Sequence, residues 1–454
     1  MSIKRLLAPV VLGASLLVAI GAAPSIAQAA NPSSGTPPTV PQVASATGGA
    51  TWLADQLTSA GFIPVSGVPA QANLAATANA VLALASAGDD AVATHALNYL
   101  ALHVNDYVSV DGSDGPGQLA LLILDAHALA ADPGSFGGSD LVTRLQATEQ
   151  TSGPTAGLFG AQDATYDGAF RQGLSLSALA AAGVTGTTAV GSAEAWLEAQ
   201  QCPDGGWTSL VTADNPCTGD PATFTGPDTN STALAIEGLS AQGVLTSKVA
   251  RSATRFLGAA QDPDGGWGYE PNAADAPGSS DPDSTALVIQ AILALGKSPS
   301  SATFVQGGTN PVSTLLSFQL TSGPGSGGFF FPGSTQPDLL ATYQAVPAVA
   351  GVSDPFNLRV TSSSLPEARV RTPYTTTVLA SGGTAPYRWK VVGGTGTLPA
   401  GLRLDATTGT ISGKPKAAGV SSFGVEVFAT KSTASPVTRA IAWRVLSITT
   451  AAAT

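Results

Sequence analysis

Acidic side chains at the start of apolar runs are the residues of this chain best placed to do chemistry. Asp281-Pro282-Asp283-Ser284 stands directly before Thr285 to Leu295, a run that is apolar almost all round. Asp228-Thr229-Asn230-Ser231 stands before a second such run, and Asp338, in Gln336-Pro337-Asp338, before a third. Three chemistries fit this placement. A carboxylate or hydroxyl there can cap a helix by accepting backbone N–H bonds, with Asp283 or Ser284 as the capping residue, at ~1 kcal/mol. A set of such caps around one mouth of a barrel, here Asp228, Asn230, Asp281, Asp283 and Asp338, makes a polar, acidic ring able to bind a ligand or a cation. Crowded carboxylates can also raise one another's pKa until one holds a proton to transfer. The pattern recurs with Asn230 in place of the central acid, which favours capping as the shared purpose.

The other reactive side chains are few. Cys202 and Cys217 are the only cysteines, and we expect them to pair, since in an oxidising compartment a disulfide closing a loop of this size adds ~3 kcal/mol. The Cys-x-x-Gln spacing of thioester proteins fails, because Gly205 stands three residues after Cys202. Histidine occurs only at 95, 103 and 127, and with two cysteines this assembles no zinc set. His95 and His127 read as structural. No cofactor is expected; for calcium the C-terminal segment offers only Asp354, Glu367, Asp405 and Glu426, spread out.

A repeat must position these groups. The unit from Gln261 to Gly296 begins QDPDGGW and ends TALVIQAILALG, and its predecessor, Gln201 to Gly243, begins QCPDGGW and ends TALAIEGLSAQG. Such repetition points to a repeat architecture. Six apolar segments end at Gly88, Asp132, Gly183, Gly243, Gly296 and Gly351, at intervals of 44, 51, 60, 53 and 55 residues. Five end on Gly, which takes the left-handed helix C′ position without penalty. The helix before each is half wet: Val249, Ala253, Phe256, Leu257 and Ala260 share one face, Arg251 and Arg255 another. Alternating wet and dry helices predict two concentric rings, the dry helices inside. Gln56, His103, Gln150, Gln200 or Gln201, Gln261 and Gln319 form a column at the wet helix ends. A Gln there can bond orphan backbone groups, and His103 reads as a substitute.

Gln201…Gly205-Gly206-Trp207 and Gln261…Gly265-Gly266-Trp267 resemble the Gln-x-x-x-Gly-x-Trp repeat of squalene/oxidosqualene cyclases and protein prenyltransferase β subunits. The resemblance runs from about Ala46 to Gly351 and implies a six-hairpin α/α toroid with a central cavity, in which Gln201, Gly205, Trp207, Gln261, Gly265 and Trp267 are structural. It further implies that Asp283 matches the proton-donating middle carboxyl of the Asp-x-Asp-Asp motif of class II terpene cyclases. Asp281 is then its partner, and Ser284 replaces the last Asp. With that carboxylate missing and a helix N-terminus favouring charge, Asp283 is expected to be ionised. A single toroid and sparse aromatics, 6% of residues, weigh against a cyclase. A prenyltransferase metal set needs a Cys that neither cysteine supplies.

Met1 to Ala29, with Lys4, Arg5, an apolar run and Ala27-Gln28-Ala29, reads as a secretory signal peptide. Residues 30–46, rich in Pro, Ser, Thr and Gly, read as a flexible linker, and 47–352 as the toroid. In 353–448 the alternation in YRWKVV and FGVEVF predicts antiparallel strands, and 449–454 reads as a tail. LPAGLRLDATTGTISGKP, Leu398 to Pro415, resembles the immunoglobulin-like domains of bacterial surface proteins, which implies a β-sandwich. From Ala30 to Gly351 there are 6 Lys+Arg against 26 Asp+Glu, and from Val352 onward 11 against 4. The acidic body argues against nucleic acid, while the basic appendage allows an anionic partner or docking on the body. No later run reaches the ~20 apolar residues of a membrane span.

The residues therefore predict an extracellular, secreted or cell-wall-associated protein that binds a small molecule or cell-wall polymer without catalysis. The alternative is a terpenoid cyclase-like enzyme with Asp283 as general acid. A glycosidase is a third reading, for which no carboxylate pair stands out.

Overall fold

The computed structural model describes residues 39–110, 112–160, 168–208, 217–218, 226–271, 280–356, 358–362, 364–382, 386–393, 395–429 and 441–453. The expected signal peptide and the linker up to residue 38 lie outside them. In chain order the helices are α1 (Val40–Gln56), α2 (Leu74–Ser86), α3 (Asp90–Leu102), α4 (Val104–Val108), α5 (Pro116–Ala128), α6 (Leu141–Ala147) and α7 (Ala169–Ala181). They continue with α8 (Thr188–Ala199), α9 (Thr229–Ala241), α10 (Ser247–Ala259), α11 (Pro282–Ala294), α12 (Pro311–Ser317) and α13 (Leu339–Ala350).

Apolar patterning sorts them into two layers. In α11 every residue from Ser284 to Ala294 is buried, whereas α10 buries only Ala253, Phe256 and Leu257. The dry helices α2, α5, α7, α9, α11 and α13 touch one another in chain order, and α13 touches α2, so the inner layer closes on itself. Inner helices end on left-handed glycines at 88, 183, 243, 296 and 351, while the unit running to Asp132 uses Ala130 at φ 56°. Among the described residues no helix is long and apolar enough to cross a membrane.

Two boundaries differ from expectation. Helix α1 begins at Val40, inside the span whose composition suggests a linker. Pro41 in its first turn pre-sets the helical φ, and Gln42 Oε1 accepts the Thr39 backbone N–H at 2.8 Å, so a capping box starts the helix. At the other end, strand Ile441–Ala451 runs into the expected tail, because Thr449 and Thr450 pair with Val420 and Gly419.

The C-terminal region is β-rich. One sheet orders the strands Ala368–Arg369, Ile441–Ala451, Gly419–Ala429 and Tyr387–Val391; another orders Leu402–Leu404, Thr410–Gly413 and Tyr374–Thr377. Alternate residues from both, Trp389, Ile411, Phe423, Val425, Val427 and Leu446, share one apolar core. The junction is buried: Phe356 joins the helical core, and Arg359 pairs with Asp90 at 3.2 Å and donates to the Ala128 carbonyl.

Candidate active site in the central cavity

Capping accounts for most of the acidic residues, but not as the sequence suggests. Asp281, not Asp283 or Ser284, caps α11, its Oδ1 accepting the Ser284 N–H at 2.7 Å. Pro282 explains the shift, because the residue before a proline is driven to extended backbone, which is the cap conformation, and Asp281 has ψ 159°. Asp228 caps α9 through Ser231 N at 2.6 Å, and Asp338 caps α13 through Ala341 N at 3.1 Å.

Asp283 is thereby left over. It lies half-buried in the first turn of α11, and its Oδ1 is buried with no hydrogen-bond partner among the described residues. Burial, then the charges of Asp281 and Asp338, push its pKa up to about 8. The expectation of an ionised Asp283 is therefore overturned. Ser284 supplies no third carboxylate, its Oγ bonding Asp281 Oδ2 at 3.0 Å, but Asp338 arrives from the next inner helix. Asn230 occupies the equivalent position on α9 and carries no acid. Burial also raises Asp228, to about 6, against bonds from Ser231 and Tyr269, and Glu270, to about 7, with Asp228 adding to it.

One turn below Asp283 a cavity of about 110 Å³ opens, lined by Leu287, Leu234, Leu174, Leu121, Phe170 and Tyr343. Asp283 is not one of the residues that line it. The Tyr343 phenol is raised to about 12, first by burial, then by Asp283 and Asp338, and so stays protonated. At the far end the lining turns polar with Gln290, Glu237 and Asp354. The carboxyls of Asp125 and Glu237 are raised well above the usual range by burial and then by Asp354, itself raised to about 7 by burial. Sequence reasoning missed this group. The signal was a lone carboxylate inside each of two apolar runs, LLILDAHALAA and TALAIEGL.

The repeat motif builds the walls. Gln201 Nε2 donates to Gly205 O at 3.0 Å, and Gln261 Nε2 to Gly265 O at 2.7 Å and to Phe304 O of the next unit at 2.9 Å. Trp207 and Trp267 each donate Nε1–H to the preceding outer helix, at Leu197 O and Leu257 O, both at 2.8 Å. Their backbone N–H groups bond Thr232 and Thr285 Oγ1 on the inner helix at 2.9 and 3.0 Å. A threonine four residues after the cap recurs in α2, α9, α11 and α13, as Thr77, Thr232, Thr285 and Thr342, a column the sequence displays and we did not predict. His103 does not replace the column's Gln: its Nδ1 faces Asp106 Oδ2 at 3.0 Å, and its ring stacks on Tyr99. Cys202 and Cys217 are disulfide-bonded. Among the described residues no group of His, Cys, Asp and Glu could hold a metal ion.

Comparison with known proteins adds two family matches. Residues 140–303 match the "Squalene-hopene cyclase C-terminal domain" family, and residues 357–445 the "Putative Ig domain" family. No curated protein matches. Among solved structures, the type II terpene cyclase MstE from Scytonema is 15% identical, covering 68% of this chain and 98% of that one at a TM-score of 0.46. A variant of it in complex with the substrate geranylgeranyl dihydroxybenzoate is 14% identical, covering 69% and 97% at 0.47. A protein from Actinoplanes is 16% identical, covering 68% and 98% at 0.44. The chain is thus multidomain, a terpene cyclase-like helical domain followed by a β-rich, Ig-like C-terminal region.

Proposed function

We propose that the helical domain is a six-hairpin toroid that takes an apolar, isoprenoid-type chain into its barrel and protonates an alkene or epoxide on it with Asp283. The state of Asp283 carries this reading. A carboxyl with a pKa of about 8 and a buried oxygen without a partner among the described residues favours its protonated form at neutral pH, one helical turn from Leu287 of the cavity, and a general acid must be both protonated and within reach of its substrate. Asp281 acts as the partner that disfavours the charged form, and Asp338 joins it. The squalene-hopene cyclase match includes Asp283, and proton transfer of this kind asks for no cofactor.

Binding without turnover is the second reading, favoured by a cavity of about 110 Å³, well below the ~300 Å³ at which ordinary ligand pockets begin. Incubation of the full chain with linear monoterpenoid, sesquiterpenoid and diterpenoid chains and their epoxides, with product analysis by mass spectrometry, separates the two. Cyclised product that falls at least ~100-fold in Asp283→Asn supports catalysis. Ligand-dependent rises in Tm without product select binding and sink the catalytic role. We also propose export, which the Cys202–Cys217 disulfide supports, with the Ig-like region a sandwich that spaces the toroid from a cell surface. Recovery of the chain from the medium with residues 1–29 removed is the check.

A further inference from the structure

We propose that the far end of the barrel, away from Asp283, is a binding site for a small organic cation: a protonated amine on a short apolar body. The end is defined by helix direction. Asp283 lies in the first turn of α11, Gln290 two turns further on, Glu237 towards the end of α9, and Asp354 just after α13. All but Asp283 line one cavity.

Some of the polar atoms there lack a partner among the described residues. Glu237 is 2% exposed, and while its Oε2 accepts the Asp354 backbone N–H at 3.2 Å, its Oε1 has no partner among the described residues. Gln290 is 5% exposed, lines the same cavity, and its amide has no partner among the described residues. Behind the lining, Asp125 is fully buried on α5, and neither of its carboxyl oxygens has a partner among the described residues. Buried polar groups are almost always bonded, so the unpartnered Glu237 Oε1 and Gln290 amide on one hollow mark a missing partner.

That partner has to be a donor, and a cationic one. Two carboxyls and an amide carbonyl supply acceptors in excess. Among the described residues no Lys or Arg lines the cavity. The nearby Arg359 is held by Asp90 and the Ala128 carbonyl, and His127, on α5 with Asp125, is driven towards its neutral form by burial, its pKa lowered to about 4. Burial, joined at Asp125 and Glu237 by the charge of Asp354, favours the protonated form of these carboxyls when the site is empty. An ammonium group presents three donors and releases a proton from the cluster as it binds. A bare metal ion fits less well, because the described residues hold no metal-ligating group of three. Leu121, Leu174, Leu234 and Leu287 leave room for a body of limited size: the cavity is about 110 Å³, against the ~150 Å³ of an engineered cavity that takes benzene.

The test is titration calorimetry of the full chain at pH 7.5 with n-propylamine, small enough for the cavity, beside n-propanol as the neutral isostere. The amine should bind at least tenfold tighter than the alcohol, with a heat that changes with buffer ionisation enthalpy as protons are released. Glu237→Gln and Asp354→Asn should each weaken the amine tenfold or more with the circular dichroism spectrum unchanged. If either variant does not fold, Gln290→Leu serves, with a smaller loss confined to the amine. Equal affinity for amine and alcohol, no binding of the amine, or variants that bind it as the wild type does overturn the proposal. Asp283→Asn should bind the amine unchanged, so failure of acid catalysis and failure of this site are read separately.

Discussion

Asp283 follows a capping aspartate by two residues, and of the two charges that help burial raise its pKa, only Asp281 is a sequence neighbour. The consequence for stability has a definite sign. A carboxyl raised from its ordinary value to about 8 binds its proton more tightly in the folded chain than in the unfolded one. Its contribution is therefore fully present below about pH 4 and is lost as pH rises through 8. Asp125 and Glu237 are raised too and act in the same direction. Denaturant unfolding at pH 5.5 and pH 9 should show lower stability at the higher pH, and Asp283→Asn should shrink that difference by about 1–3 kcal/mol, allowing for the solvent that reaches a half-buried group. Asp281→Ala should cost ~1 kcal/mol through the lost cap and move the Asp283 titration, followed by carboxyl NMR, to lower pH.

Gln, Gly and Trp form one joint between successive hairpins. Gly205 has φ 106°, and a Cβ there would collide with the Ser252 carbonyl of the next outer helix; Gly265 stands against the Thr309 carbonyl in the same way. Gly205→Ala should therefore cost about 2 kcal/mol or more, because strain and collision act together, as read from the shift in denaturation midpoint. The same joint closes the ring, since Gln319 Nε2 donates to Gly327 O at 2.7 Å and to Ser45 O of α1 at 2.9 Å. Gln319→Ala leaves two carbonyls short of a donor and should cost about 1–3 kcal/mol, with faster amide exchange in α1 and α13 than elsewhere.

Across the whole molecule, the β-rich region is fastened to the helical domain by Phe356 in the helical core and by Arg359 on Asp90 and the Ala128 carbonyl. Opposite charge on the two domains thus serves docking at least at this pair. Arg359→Ala should loosen the junction, seen as a larger radius in small-angle scattering and as earlier proteolysis between residues 351 and 360, with each domain's fold retained. Replacing Cys202 and Cys217 together by Ser reopens a loop with a sequence separation of 15 and should lower stability by ~3 kcal/mol.

Local patterning alone determined the wet and dry helices, the Gly stops, the Gln column and the start of strands in YRWKVV and FGVEVF, because each depends on residues a few positions apart. It also placed acids at inner-helix starts, yet named the wrong cap, since Pro282 shifts the capping role to Asp281. Tertiary structure decided what those acids do. Asp338 reaches Asp283, and Asp354 reaches Asp125 and Glu237, only once units far apart in the chain close into a ring, and burial there sets a protonation state that no linear spacing contains.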